Sequence, residues 1–191
     1  MKNVSRFKYA TWDVRGLGQK EEEEELDRFL NENNVKISVI TGGKKELQGT
    51  KETEHYKVIY SGVGRHIRGQ SGDMIWIHKS ISNKIDHYKF WNDGGIETRL
   101  KTLNNISSIW PNEGREELSE EFYEKLQKIL DKVKRNDYII LTGDMRDRVG
   151  NNRLTNIVGT NGEAALNSNG RKLITIGNNY LVRRYKLFSE M

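Results

Sequence analysis

Residues 114–144 hold the pattern that most restricts how this chain can fold. Leu118, Phe122, Leu126, Ile129, Leu130 and Val133 recur at helical spacing and form one apolar stripe, which predicts a helix over 114–135. Directly behind it, "YIILTGD" (138–144) is a short apolar run that stops at Gly143-Asp144 and reads as a buried strand. A one-faced helix must lie on a sheet, and the strand that follows so soon must return to that sheet. The segment therefore predicts a crossover unit and a layered arrangement of helices on strands.

The N-terminal part repeats the logic. "FKYATWDV" (7–14) alternates like a strand, residues 19–33 place Leu26, Phe29 and Leu30 on one helical face, and "VKISVI" (35–40) is a second strand. Between the two crossovers, "KVIYSG", "DMIWIHKS", "IDHYKFW" and "IETRLKTL" read as successive strands joined by turns. A last helix is expected after Asn167, with Asn167 or Asn169 as its cap. The tail "NNYLVRRYKLFSEM" has no clear period. The expected fold is thus of mixed α/β (α+β) class, with helices packed on sheets.

Composition narrows the function classes. With 191 residues the chain suits one domain, 1–191, but only 35% of them are hydrophobic and 31% are charged, so the core is expected to be thin. The net charge of +5 is compatible with nucleic acid as a partner. The absence of cysteine excludes disulfides and thiolate zinc sites. No stretch approaches the roughly 18 apolar residues of a membrane span, and no signal-peptide pattern opens the chain. The expectation is a soluble intracellular protein, in nucleus or cytoplasm, with no membrane partner.

Ligands of layered sheets gather beyond the carboxyl ends of strands. Asp144 is placed there, and Asp13 ends the first strand in the same sense. Two such oxygens suit a hard cation such as magnesium, while a turn or helix cap is the bland alternative for Asp144. Lys44, Lys45, Arg65, Arg68, Arg148 and other loop cations would form a phosphate track if they shared that face. Arg146 sits two residues past Asp144. A unit charge pair at about 4 Å with an effective dielectric near 20 is worth about 4 kcal/mol, so Arg146 opposes a cation there by about twice that figure. It can pair with Asp144 or Asp13, face solvent, or clamp a phosphate. The glycine-bearing loop 61–72 lacks the ending of a P-loop and is read as a hairpin connection.

"ATWDVRGLG", "VKISVITGGKK", "WPNEG", "LTGDMRDRVG" and "NSNGRKL" together resemble the endonuclease/exonuclease/phosphatase family, in particular its non-LTR retrotransposon endonuclease type. The resemblance runs from about residue 7 to about residue 175. It implies a two-sheet sandwich flanked by helices, magnesium as cofactor, DNA as partner through weak, backbone-directed contacts, and phosphodiester cleavage by an activated water. It also implies that Asp144 serves catalysis, that Asp13 stands at a metal-ligand position, and that Asn112, after Pro111, belongs to the phosphate-facing motif.

Several positions depart from the family pattern. Asp13 stands where the family has asparagine. Gly42-Gly43 stand where its second strand supplies a metal-binding glutamate. Arg146 replaces the asparagine of Gly-Asp-x-Asn. The family's terminal Ser-Asp-His motif has no counterpart before Met191, so the domain is expected to be incomplete at the C-terminus, with a sheet edge left uncovered. Asp86-His87 lies in a strand-like stretch before the Gly-Asp, and His87, like His55, His66 and His78, is expected to be a surface or strand residue. The resulting expectation is a retrotransposon-derived, magnesium-dependent endonuclease-like domain with catalysis lost or severely weakened. The alternatives are a non-catalytic nucleic-acid-binding module and a decayed element copy. Restoring a carboxylate by Gly42→Glu, together with Arg146→Asn, is expected to tighten magnesium binding without restoring cleavage.

Overall fold

In the computed structural model, residues 7–14, 16–17, 19–43, 47–62, 72–91, 95–101, 103–107, 116–134, 137–144, 147–151, 157–158 and 164–181 are described. They form two mixed sheets with helices on both outer faces.

The first sheet has the order β1 (Lys8–Asp13), β2 (Val35–Thr41), β5 (Asp73–His78), β4 (Tyr56–Ser61), β3 (Gln48–Glu52). β1 and β2 are parallel and joined by helix α1 (Lys20–Glu32), as the first crossover requires. The other pairs in this sheet are antiparallel. The second sheet has the order β6 (Ile85–Phe90), β7 (Ile96–Leu100), β8 (Leu103–Ser107), β9 (Tyr138–Thr142). β8 and β9 are its parallel pair, bridged by α3 (Glu116–Leu130), the helix that the apolar stripe predicts. A short helix, α2 (Lys79–Ser82), follows β5, and α4 (Ser168–Ile176) leads into a π-helical turn at Gly177–Leu181.

Alternation in the central strands sorts the core into three layers. Ile37 and Val39 of β2, Ile59 of β4, and Ile75 and Ile77 of β5 meet Ile96 and Leu100 of β7 between the sheets. The opposite faces of the same strands, Ile40, Val58, Met74 and Trp76, pack with Leu26 and Leu30 of α1. Ile106, Ile139 and Leu141 of the second sheet pack beneath Phe122, Leu126 and Leu130 of α3 and Leu173 and Ile176 of α4. The helix stripe packs on the second sheet except at its first residue, Leu118, which is exposed, and the expected sandwich is present. Despite the low hydrophobic fraction, the central strands β2 and β5 are largely apolar on both faces, while Ser38, Thr98, Asn104, Asn105 and Ser107 are polar residues buried among the strands.

Cap chemistry fixes the ends. The Glu22 carboxylate accepts the Gln19 N–H at 3.1 Å at the start of α1. Asn167, one of the two expected caps, accepts the Gly170 N–H at 2.7 Å and starts α4. Asn169 is instead buried and accepts a hydrogen bond from Ser119.

Three local expectations are corrected. "IETRLKTL" is not one strand: Leu100 pairs with Leu103, and the chain reverses there with Lys101 at φ 51°. That tight hairpin has none of the Gly or Asn residues that usually announce one. β3 was not expected at all, because an edge strand with alternating exposure can be polar along most of its length. Lys79 and Ser80 belong to α2 rather than to β5. Loop 61–72 does join the antiparallel neighbours β4 and β5, as its hairpin reading requires. Among the described residues β9 is an edge strand.

Candidate active site at the strand ends

β1, β2, β8 and β9 all deliver their carboxyl ends to one end of the sandwich, and antiparallel β5 begins there. Asp13 closes β1 and is exposed; the Thr41 hydroxyl at the end of β2 donates to its Oδ1 at 3.1 Å. Asp144 follows β9 past Gly143, whose φ of 141° lets the chain leave the strand. The two aspartates expected from the sequence therefore do stand at the same end of the molecule, one from each sheet.

Asp73, which opens β5, is the residue that sequence reasoning missed. It is fully buried, and its Oδ2 accepts a hydrogen bond from Ser107 of β8 at 2.7 Å, which ties the two sheets together. Its Oδ1 is buried and has no hydrogen-bond partner. Burial pushes its carboxyl up to about 7 against the pull of the Ser107 hydrogen bond, and the negative charge of Asp144 adds to the rise. A signal for it was present, since an acid heads an apolar strand that pairs antiparallel with β2. Beside it, the Tyr9 hydroxyl donates to Asn105 Oδ1 at 3.1 Å and lies 3.2 Å from Thr142 Oγ1. Burial drives that phenol far above its ordinary range, so Tyr9 is a neutral strut between the sheets rather than an acid.

Asp147 was also missed. The Tyr123 hydroxyl donates to its Oδ2 at 2.8 Å and also to the Asn169 carbonyl at 2.9 Å, which locks the segment after β9 to α3 and α4. Burial pushes Asp147 up to about 6, hydrogen bonds from Tyr123 and Asn169 oppose the rise, and the charge of Asp144 reinforces it. A folded pKa above the unfolded value near 3.8 means that the native state holds its proton more tightly. This group's contribution to stability is therefore greatest in acid and declines as pH rises through about 4 to 6. Asp147→Asn keeps an acceptor for Tyr123 and removes that decline. The expected result is equal stability of variant and wild type at pH 4 and a gain of about 1 kcal/mol for the variant at pH 7.5. Denaturant titrations at both pH values check it.

Gly42 occupies the end of β2, with φ 76°, and a Cβ built there would lie 1.8 Å from the Val14 carbonyl oxygen and 3.0 Å from Asp13 Oδ1. Val14 cannot step aside, because its N–H is bonded to the Thr41 carbonyl at 2.9 Å. The expected repair by Gly42→Glu is thereby overturned: the position touches Asp13, but this backbone has no room for a side chain.

Of the expected nucleic-acid contacts, Arg148 is described. Its side chain is exposed, and its backbone N–H donates to Asn167 Oδ1 at 3.1 Å. Lys44, Lys45, Arg65, Arg68, Asn112 and Arg146 lie outside the described residues, and so does His66. His87 sits within β6 on the sheet edge, 3.6 Å from Asp86 and 3.8 Å from Glu97, so it is a strand residue as expected. A concavity of about 430 Å³ between the second sheet and α3 is lined by Lys89, Arg99, Lys125, Lys128 and Lys132 and by none of the strand-end carboxylates.

The strand-end oxygens of Asp13, Asp73 and Asp144 do not all come within 4.8 Å of one another; among the described residues only Asp27, Glu54 and His55 form such a cluster. That cluster reads as structural. Asp27 takes hydrogen bonds from the Thr53 hydroxyl and from the backbone and ring of His55, which fasten α1 to the β3–β4 turn. Burial raises its carboxyl, but these bonds outweigh burial and hold it below the usual range. Magnesium keeps several of its waters and takes one or two carboxylates rather than a closed cage, so Asp13, Asp73 and Asp144 would be the residues to hold it at the strand ends. The buried, unpartnered Asp73 Oδ1 is a donor of the right hardness there.

No family model matches the chain. Its fold is found in solved DNA-processing enzymes. The AP endonuclease LMAP from Leishmania major aligns with TM-score 0.63 over 91% of this chain and 66% of its own, at 13% identity. The 3′ phosphatase NExo from Neisseria, solved with a product DNA hairpin, aligns with TM-score 0.55 over 76% of this chain and 60% of its own, at 14% identity. The likeness to these solved structures is one of fold. In sequence the chain is similar to craniofacial development protein 2 from Tragulus javanicus, with 27% identity over 190 residues, and from Bos taurus, with 26%. Each match covers 95% of this chain, which spans about a third of the length of these relatives (32% and 31%). No helix among the described residues is long and apolar enough to cross a membrane.

Proposed function

We propose that the chain is a retrotransposon-derived relative of magnesium-dependent DNA endonucleases, in which residues 1–191 act as one domain on the nucleic-acid backbone with cleavage lost or severely weakened. The observation that carries this reading is Gly42. The second strand end, where the family motif brings a metal-binding glutamate, is closed to any side chain by the Val14 carbonyl. Asp13 and Asp144 remain at the strand ends, so cation binding and cleavage need not be lost together.

A divalent cation held there would draw charge from a phosphate oxygen. The chain's own groups do the rest of what is left. In this reading Asp144 orients a water and Arg148 offers its exposed charge to a phosphate, and the Thr41 hydroxyl fixes the Asp13 carboxylate. The stabilising donor that Gly-Asp-x-Asn provides is replaced by Arg146. Loss of one such preorganised donor costs on the order of 10²- to 10³-fold in rate. DNA as substrate class fits the named activities of the structural neighbours and the net charge of +5. The test is nicking of supercoiled plasmid in magnesium by wild type and Asp144→Ala, with no nicking above background expected from either.

A further inference from the structure

We propose that Asp73 is the buried carboxylate ligand of the cation site, doing from β5 what position 42 cannot do from β2. This rests on the reading that the strand ends hold a divalent cation, and it names a residue that the family pattern does not include.

Register places it there. Ile40 pairs with Met74, and the Gly43 N–H donates to the Gly72 carbonyl at 3.1 Å, so Asp73 stands abreast of Thr41 and Gly42. On β5 the odd-numbered residues, Ile75 and Ile77, face the space between the sheets, and Asp73 continues that row to its open end. There the Thr41 hydroxyl holds Asp13, and the Asp144 charge acts on Asp73 directly. Carboxylates from β1, β5 and the segment after β9 thus stand at the same end of the sandwich, with Asp73 the buried one.

Ligand capacity is the second observation. Asp73 has no exposed surface, yet only one of its oxygens is used: Oδ2 takes the Ser107 hydroxyl, and Oδ1 is buried without a partner. An unsatisfied buried carboxylate oxygen is costly, and a hard cation satisfies it. Asp27 provides the contrast within the same chain, since its oxygens are occupied by Thr53 and His55. The Ser107 bond fixes the carboxylate plane, the usual role of a neighbour that orients a ligand.

The experiment uses the full chain and Mn²⁺ alone as the probe, followed by calorimetry and by broadening of backbone amide signals in NMR spectra. Wild type is expected to bind one ion, with the amides near Asp73, Ser107 and Asp144 broadened first. Asp73→Asn, which keeps an acceptor for Ser107, is expected to weaken binding at least tenfold with an unchanged far-ultraviolet dichroism spectrum. Asp73→Asn affinity equal to wild type overturns the assignment of Asp73 while leaving a strand-end cation site standing. First broadening at His55 moves the ion to the Asp27 cluster and overturns both, as does wild type that binds no Mn²⁺ at millimolar concentration. If Asp73→Asn fails to fold, the broadening pattern of wild type decides alone: sharp Asp73 and Ser107 signals beside broadened Asp144 overturn the proposal.

Discussion

Gly42→Glu is expected to destabilise the domain by about 3 kcal/mol and to leave magnesium binding no tighter than wild type. Two costs combine. A non-glycine residue at φ 76° sits in the left-handed region, which costs about 1–3 kcal/mol where nothing compensates. The Cβ also meets the Val14 carbonyl oxygen at 1.8 Å, and that oxygen belongs to backbone bonded to β2, so relief requires β1 to separate from β2. The same movement would displace Asp13 from Thr41 and spoil the carboxylate beside the one being added. Gly42→Ala should show most of the loss, because the clash is at Cβ. Urea unfolding of the three proteins, followed by calorimetric titration with magnesium, checks both halves. Wild-type stability with a tighter isotherm would show that the strand end opens at little cost.

The second large effect is electrostatic. Binding to duplex DNA is expected to be weak and independent of sequence, and to fall about 10²-fold between 50 and 200 mM salt. That estimate assumes contacts to about four phosphates, each releasing a counterion. The net charge is only +5 and α1 opens with an acidic run, so the cations must act through their placement rather than their number. Fluorescence anisotropy with unrelated duplexes across a salt series reads the slope. A flat salt response, or a strong preference for one sequence, would contradict backbone-directed contact.

The two crossovers were the legible part of the fold. Helix α3 carries its apolar period in sequence because it buries one face, and β2 and β9 are short apolar runs because their strands are largely buried. β3 and the β7–β8 hairpin were not legible. An edge strand need bury little, and the reversal puts Lys101 at φ 51° without a Gly or Asn there to announce it. At the site, Asp13 and Asp144 could be placed because they terminate strands in sequence. Asp73 begins one, and it reaches the same end only because β5 runs antiparallel to β2. At Gly42 the sequence shows a position without a carboxylate, but not that the position is closed to a side chain. Its positive φ and the nearness of Val14 are consequences of packing β1 on β2, which residue identity alone does not disclose.

The central claim, a strand-end site that retains its carboxylates and has lost cleavage, is tested most directly by one assay. Purified wild type and Asp144→Ala are incubated with supercoiled plasmid in magnesium, and nicked circles are counted against a protein-free control. The account predicts no nicking above background by either protein. Magnesium-dependent nicking by wild type that disappears in Asp144→Ala would contradict it, because it would show a working phosphodiesterase centre despite Gly42 and Arg146.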